Sequence, residues 1–352
     1  MKKVAVAISG GVDSAVAAGL LVKRGYEVVG FHMHLWAEDA KEGKERIKRA
    51  KKVAAALGIP FEIVDLRCEF KKKVVDYFLK EFAKGKTPNP CVVCNKYIKF
   101  GRLLDFTLNK AKCDYLATGH YAMIIKKGHF ALFRAVDKQK DQSYFLYTLT
   151  QKQLAHLLFP IGEYTKKEVL QTAKKWKLPI LSESRAICFF KASDYRPFLR
   201  RQIREKLIPG EVSTLDGRVI GRHFGLPLYT IGQRHGFELK RGVLGPMYVV
   251  DKDIGKNRLV VGFGRECERR KFWLGDINWI AGEAPKLPRG CQVKIRHQGE
   301  LLGCRVKGLG SRVKIILAEA QRGVATGQSA VFYASASSAQ AEEVLGGGII
   351  AS

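Results

Sequence analysis

Short apolar runs alternate with longer amphipathic stretches over the first third of the chain, and this alternation is typical of β-strands followed by helices. The pattern predicts strands at Lys3–Ile8, Glu27–His32, Phe61–Asp65 and Tyr115–Thr118. It predicts helices at Ser14–Arg24, Lys41–Leu57, Cys68–Ala83 and Ile98–Ala111. Strands that alternate with helices indicate an α/β fold, in which a doubly wound parallel sheet has helices on both faces.

The residue pattern changes after this region, first to a loop and then to short β-type segments. A loop is predicted from Gly85 to Pro90, because two prolines and a glycine exclude a helix there. After residue 205, glycines separate short β-type runs, which predicts a small central β-rich domain. From Lys271 onward, further short strands predict a C-terminal antiparallel β-barrel. The expected domains are therefore 1–205, 206–270 and 271–352.

Charge is the strongest bulk property of the chain. Its 352 residues have a formal net charge of +29, and most of the surplus lies in the first domain. A surplus of this size favours a polyanionic partner, and we expect nucleic acid because no basic amphipathic helix suited to a membrane stands out. No apolar run is long enough to span a bilayer. A lysine-rich surface with no specific partner is the alternative interpretation.

The chain has eight cysteines, too few for its length to form a disulfide framework, and we expect a reducing, cytoplasmic setting. Most of them are expected to be small buried hydrophobic residues. The pair Cys91 and Cys94, together with Cys188, lies among turn and motif residues that suggest chemistry.

A glycine-rich segment, Ala7-Ile8-Ser9-Gly10-Gly11-Val12-Asp13-Ser14, lies between the first strand and the first helix. Such a turn directs backbone N–H groups and a helix N-terminus at phosphate. It has no lysine and so does not fit the G-x-x-x-x-G-K-[ST] phosphate loop. It resembles instead the S-G-G-x-D-S pyrophosphate loop (PP-loop) of enzymes that adenylate a carbonyl oxygen.

Further motifs extend a resemblance over nearly the whole chain. They are Thr87 to Lys96 (TPNPCVVCNK), Ala117 to Tyr121 (ATGHY), Lys140 to Leu146 (KDQSYFL), Ile187-Cys188-Phe189, Tyr229 to Arg234 (YTIGQR), Gly327 to Tyr333 (GQSAVFY) and Leu345 to Ile350 (LGGGII). In this order they resemble the bacterial tRNA-specific 2-thiouridylases, a family of the PP-loop ATPase superfamily.

The resemblance implies binding roles for particular residues. ATP phosphates would be bound by Ala7, Ile8, Ser9, Gly10, Gly11, Val12, Asp13 and Ser14, with Met33 near the adenosine and Gly119 close to the nucleotide. Asp13 would help to place Mg²⁺. The target base would lie against Asn89, Pro90 and Cys91, and other tRNA contacts would come from Lys140, Asp141, Gln142, Arg296 and His297. The alternative for Arg296 and His297 is an ordinary exposed pair on a strand.

The resemblance also implies that two cysteines transfer sulfur. Cys188 would receive sulfur as a persulfide, and Cys94 would release the product by forming a transient disulfide with Cys188. Thiolates require positive surroundings, which Lys96, Lys99, Arg185 and Lys191 would provide. Judged by its neighbours Ile187 and Phe189 alone, Cys188 would be a buried core residue.

Cys91 stands where some members of the family have an aspartate that is a proposed base. Cys91 would therefore assist the reaction, or no side-chain base is needed. Alternatively, Cys91, Cys94 and Cys188 would bind a 4Fe-4S cluster that takes up sulfide. A C-x-x-C pair by itself does not distinguish cluster, zinc and redox roles.

The implied activity is ATP-dependent 2-thiolation of the wobble uridine of the tRNAs for lysine, glutamate and glutamine. The implied cofactors are ATP and Mg²⁺, and the implied partners are the anticodon stem-loop and a sulfur donor, either a cysteine desulfurase or a sulfur-relay protein. Two other hypotheses stay open on the sequence. One is a PP-loop ligase with an amine nucleophile, and the other is a non-catalytic RNA-binding protein.

Overall fold

The structure, a computed structural model, describes residues 1–179, 188–190, 194–241, 245–284, 291–308, 312–335 and 342–351. No helix within these ranges is both long and apolar enough to cross a bilayer.

The first region contains a parallel sheet flanked by helices. Its strands are β1 (Lys3–Ala7), β2 (Glu27–His34), β3 (Phe61–Asp65), β4 (Tyr115–Ala117), β5 (Ala122–Lys127), β6 (His129–Arg134) and β7 (Leu157–Leu158). Five of them form the sheet, in the order β3-β2-β1-β4-β7, and every pair within it is parallel. This arrangement confirms the predicted doubly wound α/β fold.

The helices of this region include two that change from α to π geometry and back. The helices are α1 (Val12–Lys23), α2 (Ala40–Ala56), α3 (Arg67–Phe70), α4 (Asp76–Ala83), α5 (Pro90–Cys94), α6 (Leu104–Asn109), α7 (Gln151–Leu154), α8 (Lys166–Lys175) and α9 (Arg196–Gln202). A π-helical segment at Lys71–Val75 joins α3 to α4, and one at Asn95–Leu103 joins α5 to α6. Short 3₁₀ helices lie at Ser143–Phe145, Arg204–Lys206, Leu226–Leu228 and Gly264–Cys267.

The helix predicted to begin at Ile98 begins at Pro90, which is a correction to the sequence analysis. Proline is favoured at the first position of a helix, where its missing N–H group costs no hydrogen bond. Asn89 caps the helix, because its side chain accepts a hydrogen bond of 3.3 Å from the Val92 N–H group. Cys91 and Cys94 therefore lie in the first turns of a continuous helix.

The two later regions are built from β-strands. The central sheet contains β8 (Gly210–Ser213), β9 (Val219–His223), β10 (Glu238–Leu239), β11 (Tyr248–Asp253) and β12 (Arg258–Gly262). The last region contains β13 (Glu268–Trp279), β14 (Cys291–Lys294), β15 (Leu302–Lys307), β16 (Val313–Arg322), β17 (Ser329–Ala334) and β18 (Glu343–Ala351). These six strands close into an antiparallel barrel through the pairing of β13 with β18. The predicted central β-rich domain and C-terminal barrel are confirmed.

The hairpin β5–β6 connects the first region to the barrel. β6 pairs with β18 through Phe133 opposite Glu343 and Leu132 opposite Val344. A hydrophobic cluster runs from the first sheet into the barrel and includes Leu116 and Tyr333. The hairpin therefore belongs to the first region in sequence but extends the sheet of the barrel. The domain boundaries expected at residues 205 and 270 remain a prediction.

Candidate active site

Two loops meet at one edge of the parallel sheet, after β1 and after β4. These strands are neighbours, and the strand order reverses between them. Ligands of open α/β sheets bind at the carboxyl ends of the strands, at such a reversal point. The loop after β1 is the predicted phosphate loop, and the loop after β4 contains Gly119.

The phosphate loop is held by hydrogen bonds between its own residues. Ser14 Oγ donates to the Gly11 carbonyl oxygen at 3.0 Å, and the Ser9 N–H group donates to Ser14 Oγ at 3.2 Å. Gly11 is the N-cap residue of α1 and has no side chain to cap it. The first N–H groups of α1 therefore face the crevice without a side-chain cap, as an anion site requires.

Two glycines bring other backbone segments close to this loop. A Cβ atom on Gly10, whose φ angle is +85°, would lie 2.8 Å from Arg49 Cβ in α2. A Cβ atom on Gly119 would lie 2.6 Å from the Ser14 nitrogen. Gly119 therefore lets the loop after β4 pack on the start of α1. Its contact with a nucleotide, and that of the half-buried Met33, remain predictions.

Asp13 has two partners that the sequence did not suggest. Lys166 Nζ lies 2.6 Å from Asp13 Oδ1, and the Tyr121 hydroxyl donates to the same oxygen at 2.9 Å. Gln142, one of the residues predicted to bind tRNA, contacts the Tyr121 backbone, because its Oε1 atom accepts from the Tyr121 N–H group at 3.1 Å. Gln142 is therefore linked to the phosphate loop through Tyr121.

The segment of Cys188 is anchored beside α2 and α4. The Phe189 carbonyl oxygen accepts a hydrogen bond of 3.0 Å from the Glu38 N–H group. The buried Phe189 ring packs edge to face against Phe70 and Phe78, with centroids 5.9 Å and 5.4 Å away. Aromatic burial of this kind fixes a short segment in place. It brings Cys188, from a distant part of the sequence, next to Cys91 and Cys94.

The three thiols interact electrostatically. The pKa of Cys94 is raised to about 12 and the pKa of Cys91 to about 11, chiefly by burial and in part by the charge of Cys188. Burial also raises the pKa of Cys188. The Lys99 ammonium group lowers the pKa of all three thiols, and Arg46 in α2 also lowers that of Cys188. The structure therefore assembles the predicted cysteine pair, with Cys91 beside it.

The expectation that these cysteines are held as thiolates is wrong for this structure, because burial outweighs the nearby cations. Lys99 is close enough to act, but Lys96 is exposed, with its Nζ atom 5.2 Å from the centroid of the Tyr97 ring. Arg185 and Lys191 lie outside the described residues. Arg46 was not anticipated, since a helix with many lysines and arginines gives no sign of which one points inward.

His120 connects the thiol site to the phosphate loop. Lys99 Nζ lies 3.3 Å from His120 Nε2, and His120 Nδ1 lies 2.7 Å from Thr118 Oγ1. Burial and the charge of Lys99 lower the pKa of His120 well below its usual value. An ammonium group only donates, so neutral His120 accepts at Nε2 and donates from Nδ1 to Thr118. The buried His120 ring thereby links Lys99 to Thr118, the neighbour of Gly119 in the loop after β4.

The loop before Cys91 contacts both later regions of the chain. The Thr87 N–H group donates to the Thr326 carbonyl oxygen at 2.8 Å, and Gln328 Nε2 donates to the Thr87 carbonyl oxygen at 3.1 Å. Thr87 Oγ1 also donates to Thr230 Oγ1 at 3.3 Å. Asn89 and the buried Pro90 are thus placed where all three regions meet.

Asp141 is buried in a cluster of charges rather than exposed to a partner. Its carboxylate accepts from Arg134 Nε at 3.0 Å and from Ser143 Oγ at 3.0 Å, and Lys294 Nζ is 4.0 Å away. Arg134 also pairs with Glu342 at 2.6 Å. The side chain of Asp141 is 1% exposed, so RNA has no access to it. The exposed Lys140 beside it is the accessible residue of this motif.

Replacing Asp141 with alanine is expected to lower the free energy of unfolding by about 3 kcal/mol, because buried Arg134 and Lys294 lose a partner. Urea unfolding at equilibrium measures this change. Lys140→Ala is the matched control and should change stability by less than about 0.5 kcal/mol. An Asp141→Ala variant as stable as its parent would show that the cluster does not stabilise the fold.

Arg296 and His297 lie in the turn after β14, so the alternative interpretation of an ordinary pair on a strand does not apply, and their contact with tRNA remains a prediction. Arg296 is exposed, whereas the His297 ring packs on Phe145 with centroids 4.3 Å apart. The Phe145 carbonyl oxygen accepts from Asn95 Nδ2 at 3.1 Å, and Asn95 follows Cys94 in the chain. The barrel therefore places His297 close to the helix of the thiols.

The three clustered thiols do not have the geometry of a metal site. Within the described part of the chain, no three His, Cys, Asp or Glu side chains are arranged to hold a metal ion. Cys91, Cys94 and Cys188 as placed therefore do not fit the predicted cluster, although they lie near one another.

Three family models match successive parts of the chain. They are described as a tRNA methyl transferase HUP domain (residues 2–192), a tRNA methyl transferase PRC-barrel domain (196–263) and an aminomethyltransferase beta-barrel domain (269–350). A U34-tRNA thiolase from Methanococcus maripaludis, solved with its 4Fe-4S cluster, matches with a TM-score of 0.37 and 21% identity, over 58% of this chain and 65% of its own. A likeness this low supports no argument about function.

Relatives that match over nearly the full length of the chain have a higher sequence identity than this thiolase. The tRNA-specific 2-thiouridylase MnmA of Chloroflexus aggregans is 45% identical over 100% of this chain and 99% of its own length. The tRNA-specific 2-thiouridylase MnmA of Symbiobacterium thermophilum is 40% identical over 99% of this chain and 92% of its own length. The resemblance inferred from the motifs is confirmed: the chain belongs to the tRNA-specific 2-thiouridylases, a family of sulfurtransferase enzymes.

Proposed function

We propose that this protein replaces the C2 oxygen of the wobble uridine in the tRNAs for lysine, glutamate and glutamine with sulfur, using ATP. The observation that supports the proposal most strongly is the meeting of Cys188 with Cys94, two thiols far apart in sequence, beside the phosphate loop. Lys99 and His120 join these two parts of the site. An adenylating enzyme that transfers sulfur needs both parts within reach of one base.

The phosphate loop has the groups that ATP and Mg²⁺ require. Uncapped N–H groups of α1 and the exposed Ser9 suit phosphate oxygens, and the Asp13 carboxylate suits a hard cation. Bound Mg²⁺ would neutralise phosphate charge during attack. In the first step the uridine O2 atom bonds to the α-phosphorus of ATP, and pyrophosphate leaves. C2 then has AMP as its leaving group.

Sulfur transfer follows from the thiol pair. The terminal sulfur of a Cys188 persulfide attacks C2, and AMP leaves with the former O2 atom. Cys94 Sγ then attacks Cys188 Sγ, so the bond between the two persulfide sulfurs breaks and 2-thiouridine is released. The products on the protein are a Cys94–Cys188 disulfide and a proton. A dithiol reductant must return both cysteines to thiols before the next cycle.

Binding of the base would involve residues that the structure gathers around α5. Asn89, Pro90 and Cys91 begin the helix of Cys94, and His297 packs above Phe145 next to that helix. His297 Nδ1 and Asn95 Oδ1 are buried and lack hydrogen-bond partners among the described residues. Sequence-specific readers of RNA use such polar atoms, together with stacking, to bind a base turned out of its loop.

Cys91 would assist from the same turn of helix. Its pKa is raised to about 11, chiefly by burial, so the thiol is protonated at neutral pH and is not a base there. We therefore assign it no deprotonation step. The cluster-dependent route is not part of this proposal, since the three side chains as placed do not fit a metal.

The surplus of positive charge supports tRNA as the partner, because the chain has a net charge of +29. Lys140 and Arg296 are exposed and available to RNA phosphates. The sulfur donor would be a protein that itself carries a persulfide, either a cysteine desulfurase or a sulfur-relay protein.

The proposal is tested by nucleoside analysis of tRNA from cells that lack this protein. Digested tRNA for lysine, glutamate and glutamine should have lost 2-thiouridine, and a plasmid that encodes the chain should restore it. Mass spectrometry measures the nucleoside, and 4-thiouridine in the same samples is the control for general sulfur supply. Unchanged 2-thiouridine in the deleted strain would refute the proposal.

A further inference from the structure

The ion pair between Lys166 and Asp13 lies at the mouth of the phosphate loop. Lys166 Nζ is 2.6 Å from Asp13 Oδ1, and the two side chains are 12% and 21% exposed. Asp13 is in the first turn of α1, where phosphate would meet the helix N-terminus.

Lys166 is held there by several independent contacts. It is the first residue of α8, which Thr165 and Glu168 cap reciprocally. The Lys166 N–H group donates to Asp137 Oδ2 at 2.9 Å. Val169 and Ala173 of α8 pack in the same hydrophobic cluster as residues of α1. The ammonium group is thus presented to the loop by a helix whose position is fixed by the core.

The phosphate loop itself contains no lysine, although a loop that binds a triphosphate normally has a cation nearby. We propose that Lys166, supplied by α8 from more than a hundred residues downstream, is the cation that binds the phosphates of ATP. This inference rests on the proposed function, since it deepens the description of the ATP site.

The same geometry indicates how Lys166 would change partners when ATP binds. Lys166 has three donor protons, and Asp13 accepts one of them. Tyr121 donates to the same carboxylate oxygen, so Asp13 keeps a partner if the ammonium group turns to phosphate. Mg²⁺ bound at Asp13 would repel the Lys166 ammonium group, which would favour its transfer to a phosphate oxygen. Before loading, Lys166 and Asp13 neutralise each other.

The test compares Lys166→Ala with Lys167→Ala, using calorimetric titration with ATP and Mg²⁺, with pyrophosphate and with adenosine. Lys167 is the next residue on α8 and is exposed, so its replacement removes the same charge without touching the loop. Lys166→Ala should bind ATP and pyrophosphate about 10- to 100-fold more weakly, the usual range for a lost charge-assisted hydrogen bond. Affinity for adenosine, which has no phosphate, should stay unchanged.

Lys166→Arg should keep ATP affinity within about tenfold of the parent, because the charge remains. Equal ATP affinity in Lys166→Ala and the parent would overturn the inference. So would an equal loss of adenosine affinity, since it would show that Lys166 only supports the fold. If the parent chain bound no ATP at all, the proposed function and this inference would both fail. If the parent bound ATP and Lys166→Ala bound it equally well, this inference would fail while the proposed function would stand.

Discussion

Replacing Cys188 with serine is expected to lower 2-thiouridine formation by at least about a thousandfold, because serine cannot hold a persulfide. Adenylation should persist, since the phosphate loop is built from residues of β1 and α1. The measurement is a single turnover with purified tRNA, ATP and a persulfide donor, in which 2-thiouridine and pyrophosphate are both quantified. Pyrophosphate without 2-thiouridine is the expected outcome for Cys188→Ser.

The matched control is Cys113→Ser. Cys113 is also a buried thiol of the first region, but its Sγ atom donates to the Ala111 carbonyl oxygen at 3.7 Å, and the three clustered cysteines are not among the groups that shift its pKa. Cys94→Ser should behave differently from both, because the tRNA would stay linked to Cys188 through a disulfide that dithiothreitol cleaves. Full activity of Cys188→Ser would contradict the persulfide mechanism.

The first sheet was predictable because its strands and helices follow each other locally. The spacing of hydrophobic residues and the position of turn residues suffice to place β1, α1 and β2. The start of the helix at Pro90 was missed because prolines were interpreted as excluding a helix, whereas the first helical position favours them. The pairing of β6 with β18 was not predictable, because more than two hundred residues separate the strands.

Some features of the candidate site could likewise be predicted from the sequence, and others could not. The phosphate loop and its flanking elements are contiguous in sequence, so its fold could be predicted. The role of Cys188 came from a family resemblance, since its apolar neighbour Phe189 indicates only burial. His120 and Asn95 lie inside the motifs ATGHY and TPNPCVVCNK, yet their contacts with Lys99 and Phe145 appear only in three dimensions. For Lys166 the one signal was negative, namely a phosphate loop without a lysine.

Lys99 lowers the pKa of the three buried thiols, so its removal should slow their reaction with an alkylating reagent. Burial raises the pKa of Cys91 to about 11 and also raises that of Cys188, while the Lys99 charge lowers both. Below these pKa values the thiolate fraction rises about tenfold for each pH unit. Alkylation by iodoacetamide should therefore accelerate steadily between pH 7 and 9, and Lys99→Met should reduce its rate about tenfold at each pH.

Peptide mass spectrometry follows each cysteine separately, and the exposed Cys68 in the same chain is the internal reference. The matched control is Lys96→Met, which removes an equal charge from an exposed position on the same helix. Because Lys96 lies over the Tyr97 ring and is not among the groups that shift the thiol pKa values, its loss should leave the profile unchanged. Equal slowing in both variants would mean that general surface charge, rather than Lys99 beside the sulfurs, sets their reactivity.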